Sequence, residues 1–268
     1  MLANYSKKFF LNNLSTKSYF SNQLLARVMS TTVNAAAERE KTVVENLKDV
    51  LKTVEEFKTH PSARLVAVSK YMPAEDISYA MKTGQIHFGE SYAAELEEKS
   101  KNLPSNIAWH FIGHLQTNKC KIVAKIPNLF AVETIESEKK ADALNKACVN
   151  VGRKDKLRVY VQINTSGEES KSGCEPEETY KVCKHIKENC PALELYGLMT
   201  IGMKDRDAAN NPDFKKIVEL KEDIKSRLEL DHFEASFGMS GDYIEALKLG
   251  SDNVRVGSAI FGPRRIKQ

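Results

Sequence analysis

From about residue 60 onward the chain alternates between two rhythms. Short apolar or β-branched runs are separated by longer stretches in which apolar residues recur every three or four positions. The first pattern fits a strand buried on both faces, the second an amphipathic helix. The runs are Leu65–Ser69, Gln85–Ser91, Ala108–His114, Leu129–Ile135, Arg158–Thr165, Leu193–Ile201, Phe233–Phe237 and Val254–Gly257. The helical stretches between them include Ala74–Thr83, Ala93–Leu103, Gln116–Lys125, Glu138–Val151, Glu177–Asn189 and Asp213–Leu228. The last is the clearest, with Phe214, Ile217, Val218, Leu220, Ile224 and Leu228 on one side. Upstream, Val44, Leu47, Val50, Leu51, Val54 and Phe57 recur at helical spacing within Ala35–Lys58, which predicts an extra N-terminal helix.

Strands that alternate with helices predict a parallel sheet. Eight such units, with no Gly/Ser linker or composition break between them, favour a single closed (β/α)8 TIM barrel over an open doubly wound sheet. No G-x-G-x-x-G follows the first strand, which weakens a dinucleotide-binding alternative. The barrel domain is expected to occupy residues 35–268.

Charge changes the picture at one end of the chain. The 268 residues carry 40 Lys+Arg against 36 Asp+Glu, a formal net charge of +4. Lys7, Lys8, Lys17 and Arg27 all fall within residues 1–28, and the first carboxylate is Glu38. Without that segment 36 basic residues face 36 acidic ones, so the expected barrel is electrically balanced. That balance argues against a nucleic-acid or membrane-surface partner. The basic run in Asn118–Lys125 reads as a solvated helix face. Residues 1–28 are rich in Ser and Asn, free of acid and without a continuous apolar core. This composition fits a mitochondrial transit peptide, and an ordinary disordered tail is the alternative. Met29 would serve as an internal start for a cytosolic form, so the expected location is cytoplasmic, mitochondrial or both.

Apolar residues make up 41% of the chain and charged ones 28%, as in a soluble globular protein. No run approaches the roughly 18 apolar residues of a membrane span. The five cysteines form no C-x-x-C pair, which favours reduced thiols in an intracellular compartment.

Chemistry in such a barrel sits at the C-terminal ends of the strands. Read in order, those ends carry Ser69-Lys70, Gly89-Glu90-Ser91, Gly113-His114, Asn164-Thr165-Ser166, Met199-Thr200, Gly238-Met239-Ser240-Gly241 and Arg255-Val256-Gly257-Ser258. Lys70 closes an apolar strand, where partial burial favours a nucleophilic amine; a solvated strand-end lysine is the plainer reading. Gly238–Gly241 and Gly257-Ser258 stand after strands seven and eight, the usual phosphate site of the fold. Each alone could be a tight turn; together they favour an anion. A lysine facing a phosphate cradle across one barrel mouth suggests pyridoxal phosphate. Arg255 either faces the cofactor's pyridine nitrogen or pairs with a neighbouring carboxylate. His110 and His114, four apart in a strand, are expected on one face. Without a third ligand a metal site is not expected.

These residues also carry a family likeness. VAVSK (66–70), HFGESY (87–92), WHFIGHLQTNK (109–119), VQINTSGEESKSG (161–173), GLMTIG (197–202), GMSGD (238–242) and VRVGSAIFGPR (254–264) resemble the pyridoxal phosphate homeostasis protein family, itself similar to the barrel domain of alanine racemase. The resemblance runs from about residue 40 to 265. It implies a monomeric or weakly associating barrel that holds pyridoxal 5′-phosphate (PLP) as a Schiff base on Lys70. The phosphate would lie near Ser240, Gly257 and Ser258, with Arg255 near the ring nitrogen. Ser236, His114 and Met199 complete the expected contact set. One departure stands out: Ser91 occupies a position where the family usually has Asn, which puts any amide role there in doubt.

The resemblance leaves an enzyme and a carrier as alternatives. A racemase needs an acid/base on each face of the substrate α-carbon. In alanine racemase a second domain contributes to that arrangement, whereas this sequence ends at Gln268, close after the eighth strand. The expectation is therefore a non-catalytic carrier that buffers PLP and passes it, through transient contact, to apoenzymes. A PLP-dependent amino-acid racemase is the alternative. A barrel that has lost the cofactor is disfavoured by Lys70 in VAVSK.

Overall fold

The computed structural model of the chain describes residues 34–168, 172–203 and 210–263. The expected leader and Met29 lie outside the described residues, as do residues 169–171 and Arg264 of the family motifs. The chain divides into two compact units, Met1–Val43 and Val44–Gln268. In the first, residues 34–43 are helical. No helix among the described residues is long and apolar enough to cross a membrane.

The second unit opens with a helical stretch, residues 44–57 (α1), which buries Leu47, Val50 and Val54. Eight strands follow: β1 (Arg64–Val68), β2 (His87–Glu90), β3 (Ala108–Phe111), β4 (Leu129–Ile135), β5 (Leu157–Gln162), β6 (Leu193–Met199), β7 (Glu234–Ser236) and β8 (Asn253–Val256). Each pairs in parallel with the next, and β8 pairs with β1, so the sheet closes as a barrel in chain order. Helices α2 (Ala74–Met81), α3 (Ala93–Asn102), α4 (Cys120–Ala124), α5 (Glu138–Asn150), α6 (Thr179–Asn189), α7 (Pro212–Arg227), α8 (Tyr243–Lys248) and α9 (Ser258–Phe261) follow the strands in turn.

Two of the described helices, α5 and α7, start on side-chain caps. Ser137 Oγ accepts from Lys140 N–H at the head of α5. Asn211 Oδ1 accepts from Asp213 N–H at 3.0 Å, and Pro212 fills the first position of α7, where a missing N–H costs nothing. The α7 stripe buries Phe214, Ile217 and Ile224. Strand residues Leu65, Ala67, Phe88, Trp109, Phe111 and Val132 are buried on the opposite face from the barrel interior. Each large apolar side chain buried this way contributes about 1.5–3 kcal/mol relative to exposure.

Three sequence expectations need correction. Helix α4 is only five residues long and is preceded by a 3-10 turn, Thr117–Lys119, so the expected Gln116–Lys125 helix is broken. Likewise a 3-10 turn, Pro176–Glu178, precedes α6. His110 and His114 do not share a strand face, because β3 ends at Phe111. There Gly113 passes the end of β2 so closely that a Cβ on it would lie 1.9 Å from Ser91 O. His110 consequently faces the interior while His114 is exposed.

The interior of the barrel is polar. At its N-terminal end Arg64 donates to both oxygens of Glu234, and Tyr160 Oη donates to Glu234 Oε2 at 2.6 Å. Gly197 makes room for this arrangement, since a Cβ there would lie 2.8 Å from the Tyr160 ring and 2.5 Å from Glu234 O. The Arg158 guanidinium stacks at 4.5 Å over Phe130 and 4.8 Å over Tyr196. This end is plugged by an ion pair and by rings.

Candidate functional site

The register brings interior-facing residues of five strands into one hydrogen-bonded chain. His87 Nδ1 lies 3.0 Å from His110 Nε2, and His110 Nδ1 lies 2.6 Å from Glu133 Oε1. Glu133 also accepts from Asn253 Nδ2 at 2.8 Å and from Ser236 Oγ at 2.6 Å. Ser236 Oγ in turn accepts from Arg255 Nη1 at 2.6 Å, while Arg255 Nη2 donates to Thr200 O at 2.8 Å.

Every link in this chain is buried except the partly exposed His87. Burial alone would push the Glu133 carboxyl up. The hydrogen bond and charge of His110, with the charge of Arg255, outweigh it and hold the group at about 2. Burial likewise pulls the His87 imidazole down to about 3, and nearby His110 adds to the effect. Burial lowers the Arg255 guanidinium, against the opposing charges of Glu133 and Asp242. Glu133 is thus an ionised hub that orients Arg255 through Ser236. An unpaired charge in this position would be costly.

Above Arg255 the two loops singled out from the sequence meet. Gly257 N–H donates to Ser240 Oγ at 3.2 Å, joining the turn after β8 to the turn after β7. Asp242 Oδ1 accepts from Met239 N–H at 2.6 Å and closes that second turn. Gly238 has φ +92°, and a Cβ on it would strike Ala246 Cβ at 2.4 Å, so this turn requires glycine. Ser258, the first residue of α9, is exposed. Gly257 also lies against the end of β1, where a Cβ would come within 3.2 Å of Val68 O. Lys70 stands two residues beyond Val68, half-buried, in a turn rather than on the strand itself. That corrects its expected place as the closing residue of β1.

The expected site residues therefore separate into groups. Lys70, Ser240, Gly257 and Ser258 stand at the C-terminal mouth, with Arg255 beneath them. Ser236 sits behind Arg255, its hydroxyl engaged with Glu133 and Arg255. Met199 is part of the buried interior wall with Tyr160 and Ala131. His114 stands outside this group, its side chain 53% exposed and its Nδ1 3.6 Å from Glu136 Oε2.

Glu133 and Asn253 were missed in the sequence. The available signal was their spacing: each is a polar residue at an interior-facing position of an otherwise apolar strand. A separate surface cleft of about 290 Å³, lined by Lys125, Pro127, Arg153 and Asp155, lies at the opposite end of the barrel. There Arg153 donates to the carbonyls of Ala124, Ile126 and Leu129.

The family pattern described as "Alanine racemase, N-terminal domain" matches residues 43–265. A human protein named pyridoxal phosphate homeostasis protein is 47% identical over 210 residues, covering 75% of this chain and 76% of its own. The chain belongs to the pyridoxal phosphate homeostasis protein family. A further member of the family, from Schizosaccharomyces pombe, is 45% identical over 202 residues, covering 75% of this chain and 84% of its own. Among solved structures, PipY of Synechococcus elongatus with PLP bound superposes with a TM-score of 0.71 at 26% identity. That match covers 82% of this chain and all of PipY.

Proposed function

We propose that the chain binds pyridoxal 5′-phosphate at the C-terminal mouth of the barrel, held as a Schiff base on Lys70, and that it buffers and delivers the cofactor without transforming a substrate. The observation that carries this reading is the contact between Gly257 and the end of β1. It sets the lysine turn beside the two loops that Gly257 N–H and Ser240 Oγ join. The donor set fits the group chemically. Hydroxyls of Ser240 and Ser258, with the backbone of a tight glycine turn, suit a phosphate. The buried guanidinium of Arg255 supplies a fixed cation beneath them. When bound, the cofactor supplies an aldehyde that a primary amine captures as an imine, with loss of water.

Support for the cofactor comes from the naming of the relatives and from PipY, whose structure holds PLP. Support for delivery comes from the rim. Tyr92, Ile201 and Met239, on the loops after β2, β6 and β7, are large apolar residues exposed by 47%, 41% and 37%. Exposed apolar groups around a ligand mouth suit transient contact with a receiving apoenzyme. A monomer leaves that rim accessible. The competing reading, a PLP-dependent racemase, draws on the alanine racemase family pattern.

The test is a spectrum and an assay on one preparation. Full-length protein loaded with PLP is expected to show a visible imine band that Lys70→Ala abolishes, with no racemisation of the common amino acids. A band that survives Lys70→Ala overturns the Lys70 assignment. Robust turnover overturns the carrier reading.

A further inference from the structure

The turn that presents Lys70 is held from both sides by a second lysine. Lys99, on α3, is buried, and its ammonium donates three hydrogen bonds. One goes to Ser69 O at 2.8 Å, one to Glu90 Oε1 at 2.7 Å and one to Glu95 Oε1 at 2.8 Å. An ammonium has three protons, so Lys99 is saturated. Around it, Ser69 Oγ donates to the same Glu90 oxygen at 2.6 Å, and Tyr71 N–H donates to Glu95 Oε1 at 2.8 Å. Both residues flanking Lys70 are therefore tied to one buried ion cluster, Ser69 through its carbonyl and hydroxyl and Tyr71 through its amide. Tyr71 has φ +64°, a conformation that a side chain this large adopts only when its surroundings impose it. Its hydroxyl also hydrogen-bonds Tyr92 Oη, which fixes the ring against the next loop.

We infer that Lys99, with Glu95, is a positioning residue for Lys70. Its bonds to Ser69 and to Glu95 hold the strained 69–71 turn in the conformation from which the Lys70 amine meets the cofactor aldehyde. The inference rests on the reading that Lys70 carries the cofactor. Its motivation is geometric: a surface lysine would not be buried and triply bonded to reach a backbone carbonyl beside the reactive residue. A misplacement of about 1 Å at a reacting group costs roughly 100-fold in rate, so a loosened turn would be visible kinetically.

The experiment compares two probes on the full chain. PLP reports the phosphate cradle together with Lys70, whereas pyridoxine 5′-phosphate, which lacks the aldehyde, reports the cradle alone. Lys99→Met is expected to slow appearance of the imine band with PLP at least about tenfold. Binding of pyridoxine 5′-phosphate should be unchanged, and Lys99→Arg should restore much of the rate. If Lys99→Met does not fold, Glu95→Ala, at a partly exposed position, carries the same prediction. Equal weakening of both probes would overturn the inference and assign the cluster to general stability. An unchanged imine rate in a folded variant would also overturn it. A wild-type protein that forms no imine on Lys70 would instead overturn the underlying reading, so the two failures are distinguishable.

Discussion

Glu90 shows how far a single side chain departs from its sequence appearance. In HFGESY it reads as one acid among many at a strand end. In the fold it is buried, and its Oε2 has no hydrogen-bond partner among the described residues. Burial pushes its carboxyl up to about 7, against the pull of Lys99. A raised carboxyl pKa means that the folded state binds a proton the unfolded state has already released. Glu90 therefore contributes most to stability below the ordinary carboxylate range, and that contribution is lost as pH rises from about 4.5 to about 7. The loss is on the order of 3 kcal/mol at most. Chemical denaturation from pH 5 to 7 should show the wild type losing stability relative to Glu90→Gln, the opposing rise from the depressed His87 imidazole being common to both. Identical slopes would show that Glu90 does not titrate there. The candidate residues at strand ends and in glycine turns were the ones legible in the sequence. Lys70, Arg255, Ser240 and Gly257 announced themselves by position and by turn chemistry. Lys99 and Glu133 did not, because an ionisable residue looks ordinary until the register shows that it points inward.

At the scale of elements, β-branched and apolar runs marked all eight strands, since a parallel strand must bury both faces. Helices α8 and α9 gave no pattern because they are six and four residues long, too short for an amphipathic stripe to repeat. What no periodicity revealed was how the strands share their interior space. Gly197 on β6 reads as a weak point in a strand, yet it is the position that lets β7 and Tyr160 approach. Gly197→Ala would place a methyl group 2.5 Å from Glu234 O. It should force β6 and β7 apart and disturb the bonds from Tyr160 and Arg64 to Glu234. Overpacking of this kind costs about 1–3 kcal/mol, occasionally more. A thermal melt should detect the loss, whereas an unshifted midpoint would mean that β7 accommodates the methyl group freely.

For the molecule as a whole, the +4 of the sequence is misleading, and the balanced remainder is the better guide. Part of the charge is used inside the barrel. Arg64 is matched to Glu234 at the N-terminal end, and Arg255 is coupled to Glu133 through Ser236 toward the mouth. With basic and acidic residues balanced at 36 each outside residues 1–28, there is no large net charge for long-range steering, so recognition depends on local donors at the mouth. The central claim is that PLP is carried on Lys70 and on no other of the chain's many lysines, Lys99 being saturated by its three acceptors. Borohydride reduction of the PLP-loaded protein converts the imine to a stable amine, and peptide mass mapping then locates it. The pyridoxyl group should be found on the peptide that contains Lys70. A protein left unmodified, or modified principally at another lysine, would contradict the account.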